Sequence, residues 1–166
     1  MRTLTLTLTL TLALGLSFIA HAEDATGVLQ HSSQHFAIDS MTDVGNRIYY
    51  NCDSVENQVT GLLKEMGAQN IRVTCYGGMD RNMPPISWEA SVDLSYSAMK
   101  LAGADESGVK AIWTPVSIRD SDNCHLLTQV FRNVKGHFAI RSLKGPGHCG
   151  SIDQSFRVQF ETLKAL

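Results

Sequence analysis

Over residues 86–98 hydrophobic and polar side chains alternate without a break. Ile86, Trp88, Ala90, Val92, Leu94, Tyr96 and Ala98 take the even positions, and Ser87, Glu89, Ser91, Asp93, Ser95 and Ser97 stand between them. A period of two sends successive side chains to opposite faces, so the segment predicts a strand with one buried face and one polar face. Helices are expected over the buried side only, which gives two layers. Two stripes at helical spacing supply them. Val55, Val59, Leu62, Leu63 and Met66 form the first, with Asp53 and Glu56 as a capping box and Gly67 as a left-handed stop. Leu127, Val130, Phe131 and Val134 form the second, opened by Asp122 or Asn123 and closed by Gly136.

Strand-like segments at 47–51 and 70–75 bracket the first stripe, and segments at 109–118 and 138–143 bracket the second. Another, at 155–163, turns Phe156, Val158 and Phe160 inward. The order is strand–helix–strand–strand, twice, over 47–99 and 109–166. The expected fold is therefore α/β (α+β): a two-layer sandwich of about six mostly antiparallel strands with two helices on one face, either duplicated βαββ or ferredoxin-like. A hairpin through 100–108 is expected to turn the chain back, so that the second unit repeats the direction of the first. Residues 23–46 are polar with scattered apolar positions. They read as an N-terminal arm holding one short strand near 35–39.

The first 22 residues read as a signal peptide. Arg2 precedes an apolar run over 3–19, and Ala20-His21-Ala22 places small residues where a signal peptidase cuts. Cleavage after Ala22 leaves 166 − 22 = 144 residues, with a single globular domain over 47–166. No later run is apolar for long enough to span a bilayer. The leader carries one cation and no acid, so its loss moves the formal charge from −2 to −3. Without a basic stripe, nucleic acid is not an expected partner.

Four cysteines in an exported chain read as two disulfides. In a strand–helix–parallel strand unit the helix starts at the end where the second strand finishes. That pairs Cys52 with Cys75 and Cys124 with Cys149, and brings both helix N-termini to one rim. The expected product is a periplasmic or secreted, non-catalytic module with no cofactor, binding a protein or small ligand at that rim. Its candidate residues are Gly77, Gly78, Met79, Arg81 and Met83 in the loop after the second strand, and His125 and His148 beside the second cystine. The alternative is a small metal-dependent enzyme or hydrolase centred on His125 and His148, with Asp122 or Asp153 as a third ligand. No G-x-S-x-G, C-x-x-C, G-x-G-x-x-G or P-loop pattern is present to support serine, redox or nucleotide chemistry. His31 and His35 have helical ligand spacing but no helical stripe around them. Arg72, Glu89, Asp93, Arg157 and Glu161 are expected to form cross-strand ion pairs on the polar sheet face.

Overall fold

The computed structural model describes residues 24–40, 47–79, 89–145, 149 and 155–166. The signal-peptide reading and positions 86–88 of the alternating run lie outside these residues. The elements are β1 (Asp24–Ile38), α1 (Cys52–Glu65), β2 (Gln69–Gly77), β3 (Ala90–Leu101), β4 (Val109–Asp120), α2 (Cys124–Val134), a 3-10 turn over Lys135–His137, β5 (Ile140–Lys144) and β6 (Phe156–Ala165). The six strands form one sheet in the order β2-β3-β1-β4-β6-β5. Every neighbouring pair is antiparallel. With two helices this is an α+β, sandwich-like fold.

The alternating strand behaves as its pattern requires. Ala90, Val92, Leu94, Tyr96 and Ala98 are all buried, in one core with Val55, Val59, Leu62 and Leu63 of α1 and Leu127, Val130, Phe131 and Val134 of α2. Phe131 lies at the centre of the second half of that core, its ring 5.7 Å from Phe156 and 5.9 Å from Phe160. The Tyr96 ring stacks on Phe138 at 5.5 Å.

The N-terminal arm is corrected most. Residues 24–38 are the longest strand described, and β1 lies in the middle of the sheet. Its inward face carries Ser32 and Gln34, which break the apolar alternation. Both are satisfied by distant partners: Ser32 Oγ lies 3.4 Å from His137 Nδ1, and Gln34 Nε2 donates to Tyr96 Oη at 3.1 Å. Residues 47–51 do not form the first strand. Asn51 makes a single parallel bridge with Met79, and β1 takes the sheet position that this segment was expected to fill.

The second correction concerns direction. β3 and β4 are both antiparallel to β1 and flank it, so residues 102–108 cross over β1 and form no hairpin. The crossing is close. Ala102 N donates to Thr26 O at 3.0 Å, and a Cβ on Gly108 would lie 2.7 Å from Gly27 O. The second half therefore runs opposite to the first, and a flat sheet would carry the two cystines to opposite ends. The sheet is not flat. β1 and β4 share only four register pairs, Asp24–Gly27 against Val109–Ile112. Ala139 donates to Met99 O at 3.1 Å and accepts from Leu163 N at 3.3 Å, drawing the outer edges of β3 and β6 together. The two three-stranded halves thus curl about a short junction, beside which Met99, Ala111 and Leu163 form a second, smaller core cluster.

Candidate binding site

The first helix begins two residues earlier than its sequence suggests. Asn51 is the N-cap, and its Oδ1 accepts from Ser54 N at 3.1 Å. Glu56 does not reach back in a capping box; its Oε1 accepts from Cys75 N at 2.8 Å and occupies a backbone donor on edge strand β2. The disulfide Cys52–Cys75 fixes the same end of the helix to the end of β2. Beyond it, Met79 N donates to Tyr50 O at 2.8 Å and Asn51 Nδ2 donates to Met79 O at 3.3 Å. Residues 50–51 are thereby clamped beside 77–79.

Gly78 makes the clamp possible. Its φ is +69°, and a Cβ there would lie 2.5 Å from the Tyr50 carbonyl oxygen. Gly78→Ala is expected to destabilise the protein by about 1–3 kcal/mol, from the disfavoured backbone region and the displaced carbonyl. Urea unfolding checks this, with Gly61→Ala as the control, since nothing lies within 4 Å of a Cβ at Gly61.

The second helix is prepared differently. Asp120 Oδ1 accepts from both Asp122 N and Asn123 N, at 2.8 and 2.7 Å. Asn123 occupies the N-cap position with no side-chain cap bond. The disulfide Cys124–Cys149 ties the first residue of the helix to the segment after β5. Gln129 grips the end of β1 in both senses, accepting from Asp39 N at 2.7 Å and donating to Asp39 O at 3.0 Å. The helix ends at Val134, and the expected stop, Gly136, sits in the 3-10 turn that follows.

These constraints set the two helix N-termini side by side. They line one cleft of about 290 Å³, with Tyr49, Tyr50, Asn51 and Ser54 from the first half and Asn123, His125 and Leu126 from the second. Two buried polar atoms of lining residues, Tyr50 Oη and His125 Nε2, have no hydrogen-bond partner among the described residues. Burial, reinforced by the nearby Asp39 carboxylate, pushes the Tyr50 phenol up to about 12. It is therefore a protonated donor throughout the physiological range. A buried polar group without a partner costs about 1–3 kcal/mol, so two beside one cleft are a reserve of unused hydrogen-bonding capacity.

Among the expected site residues, His125 lines this cleft, Gly77 and Gly78 shape the clamp beside it, and Met79 is exposed at its end. Arg81, Met83, His148 and Asp153 lie outside the described residues. Among the described residues no group of three His, Cys, Asp or Glu side chains could hold a metal ion. Tyr50 and Asn51 were missed as site residues because a β-branched and aromatic run reads as a strand. The asparagine directly ahead of Cys52, matching Asn123 ahead of Cys124, was the available signal. On the polar face two of the expected acids pair with residues outside the expected set: His35 Nδ1 lies 2.5 Å from Asp93 Oδ1, and Arg141 Nε lies 2.8 Å from Glu161 Oε2.

Compared with protein families, curated proteins and solved structures, the chain matches none. Its own geometry defines a disulfide-stabilised α+β module. No helix among the described residues is long and apolar enough to cross a membrane.

Proposed function

We propose that this chain is an exported, non-catalytic binding module whose ligand enters the cleft between the two helix N-termini. The observation that carries the reading is the pair of buried atoms without a partner among the described residues, Tyr50 Oη and His125 Nε2, beside one cleft. A ligand offering one acceptor to the phenol and one complementary group to the imidazole would satisfy both. The cystines support export, because such bonds persist in oxidising compartments. They also hold both walls of the cleft rigid, which lowers the ordering cost of binding. The two halves, β1 to β3 and β4 to β6, are read as copies of one βαββ unit. Support comes from matching β-bulges, at 69–72 in β2 and 141–144 in β5, each holding a non-glycine residue at positive φ, Asn70 and Ser142.

Fragment screening by NMR on the protein lacking residues 1–22 tests the cleft. Compounds that bind are expected to shift the amide signals of Tyr50, Asn51 and His125. Tyr50→Phe should abolish those shifts while leaving stability unchanged, or higher by up to about 1 kcal/mol, since it removes a buried group that has no partner among the described residues. Hits that map only to other surfaces would sink this assignment.

A further inference from the structure

On the sheet face away from the core, β2, β3 and β1 lie side by side and present their side chains in rows. Arg72 pairs with Ser95, and Ser95 with Ser33. Thr74 pairs with Asp93, and Asp93 with His35. Tyr76 pairs with Ser91 one row further on. Together they form a groove of about 480 Å³, lined on one side by Arg72, Thr74 and Tyr76 and on the other by Ser95, Asp93 and His35.

The charges in this groove balance. Asp93 is the acid among the described lining residues, and the His35 ring lies 2.5 Å from it. Arg72 is the guanidinium, exposed and with no hydrogen bond or ion pair among the described residues. With histidine counted neutral, the lining carries one positive and one negative charge, so it favours neither an anion nor a cation. The hydroxyls of Ser33, Thr74, Ser95 and Tyr76 also have no partner among the described residues. Tyr76 is 52% exposed, and the neighbouring Cys52–Cys75 bond fixes the backbone that carries it. Donors and acceptors thus stand beside one open aromatic ring.

We infer that this groove binds a neutral, extended oligosaccharide of β-1,4-linked pyranoses. A pyranose with equatorial substituents has a flat C–H face, which packs on the Tyr76 ring. Its edge of vicinal hydroxyls meets the Arg72 guanidinium, the Asp93 carboxylate and the hydroxyls between them. Arg72 and Tyr76 are four residues apart on one strand face, so about 13–14 Å separates their backbones, a span that a short oligosaccharide covers. A peptide added as a further strand fits less well, because the edge donor Cys75 N is already taken by Glu56 Oε1 at 2.8 Å. Nucleic acid needs a stripe of cations, and the described lining offers one guanidinium.

Titration of the exported protein with cellotetraose, and separately with N-acetylchitotetraose, tests the inference by NMR. At least one of these sugars is expected to bind, with saturable shifts at the amides of Thr74, Tyr76 and Asp93. Its affinity should be the same at low and high salt, because the ligand carries no charge. Tyr76→Ala should weaken binding at least about tenfold, through the lost stacking face, and Arg72→Gln by about the same factor. Tyr50→Phe in the cleft and Arg119→Gln in the second half should leave the affinity unchanged, which separates this site from the one proposed above. The inference is overturned if neither sugar binds, if Tyr76→Ala binds as tightly as the wild type, or if the shifts map to the cleft. Tighter binding of a galacturonic acid tetramer or a thymidine tetranucleotide than of both neutral sugars would overturn it too. Circular dichroism of each variant confirms that the fold is intact, and Arg72→Gln carries the test if Tyr76→Ala unfolds the chain.

Discussion

Replacing all four cysteines by alanine is expected to leave the chain unfolded at 37 °C. The bonds Cys52–Cys75 and Cys124–Cys149 span 23 and 25 residues. Each restricts the unfolded chain by about 3 kcal/mol in the loop-entropy account, so about 6 kcal/mol is lost together. Single domains hold only about 5–15 kcal/mol of net stability. Either pair removed alone should lower the urea midpoint and leave a folded protein. Equal midpoints for the wild-type and four-alanine proteins, followed by far-UV circular dichroism, would show that the staples are dispensable. Opening the first bond should also disturb the clamp at Tyr50 and Met79, because it anchors the same end of α1.

Phe131→Ala is the point substitution expected to cost most, about 3–5 kcal/mol. The side chain is 3% exposed and touches the rings of Phe156 and Phe160, so its removal leaves a void bounded by β6 and α2. Phe131→Leu should cost about 1.5 kcal/mol or less, since much of the volume is kept. Leu29→Ala, at a position 47% exposed, should fall within about 0.5 kcal/mol of wild type. Urea denaturation of the three variants gives the comparison. If Phe131→Ala and Leu29→Ala unfolded at the same midpoint, the core would not be centred where the structure puts it.

What could be read in advance depended on whether a segment carried its own signal. The α1 stripe and the β3 alternation did, because their inward positions are apolar and period alone identifies the face. β1 did not. Ser32 and Gln34 face inward, and the partners that make this tolerable, His137 and Tyr96, lie 105 and 62 positions away. No local window contains that information. The cap of α1 was misplaced for a related reason: Glu56 has a better use, on the backbone of β2, than closing a box with its own helix. The cleft was half legible. His125 beside Cys124 stood out, whereas Tyr50 joins it only through the curl of the sheet, which follows from a four-pair junction that no periodicity reports.

Each sulfur bridge draws both its cysteines from one half of the molecule. For a polypeptide that emerges N-terminus first, Cys52 and Cys75 are both available, with β1, α1 and β2, well before Cys124 appears. Once that first bond has closed, Cys124 and Cys149 find only each other. The incorrect pairings are thus disfavoured by the timetable of synthesis, before any folded structure has to select against them.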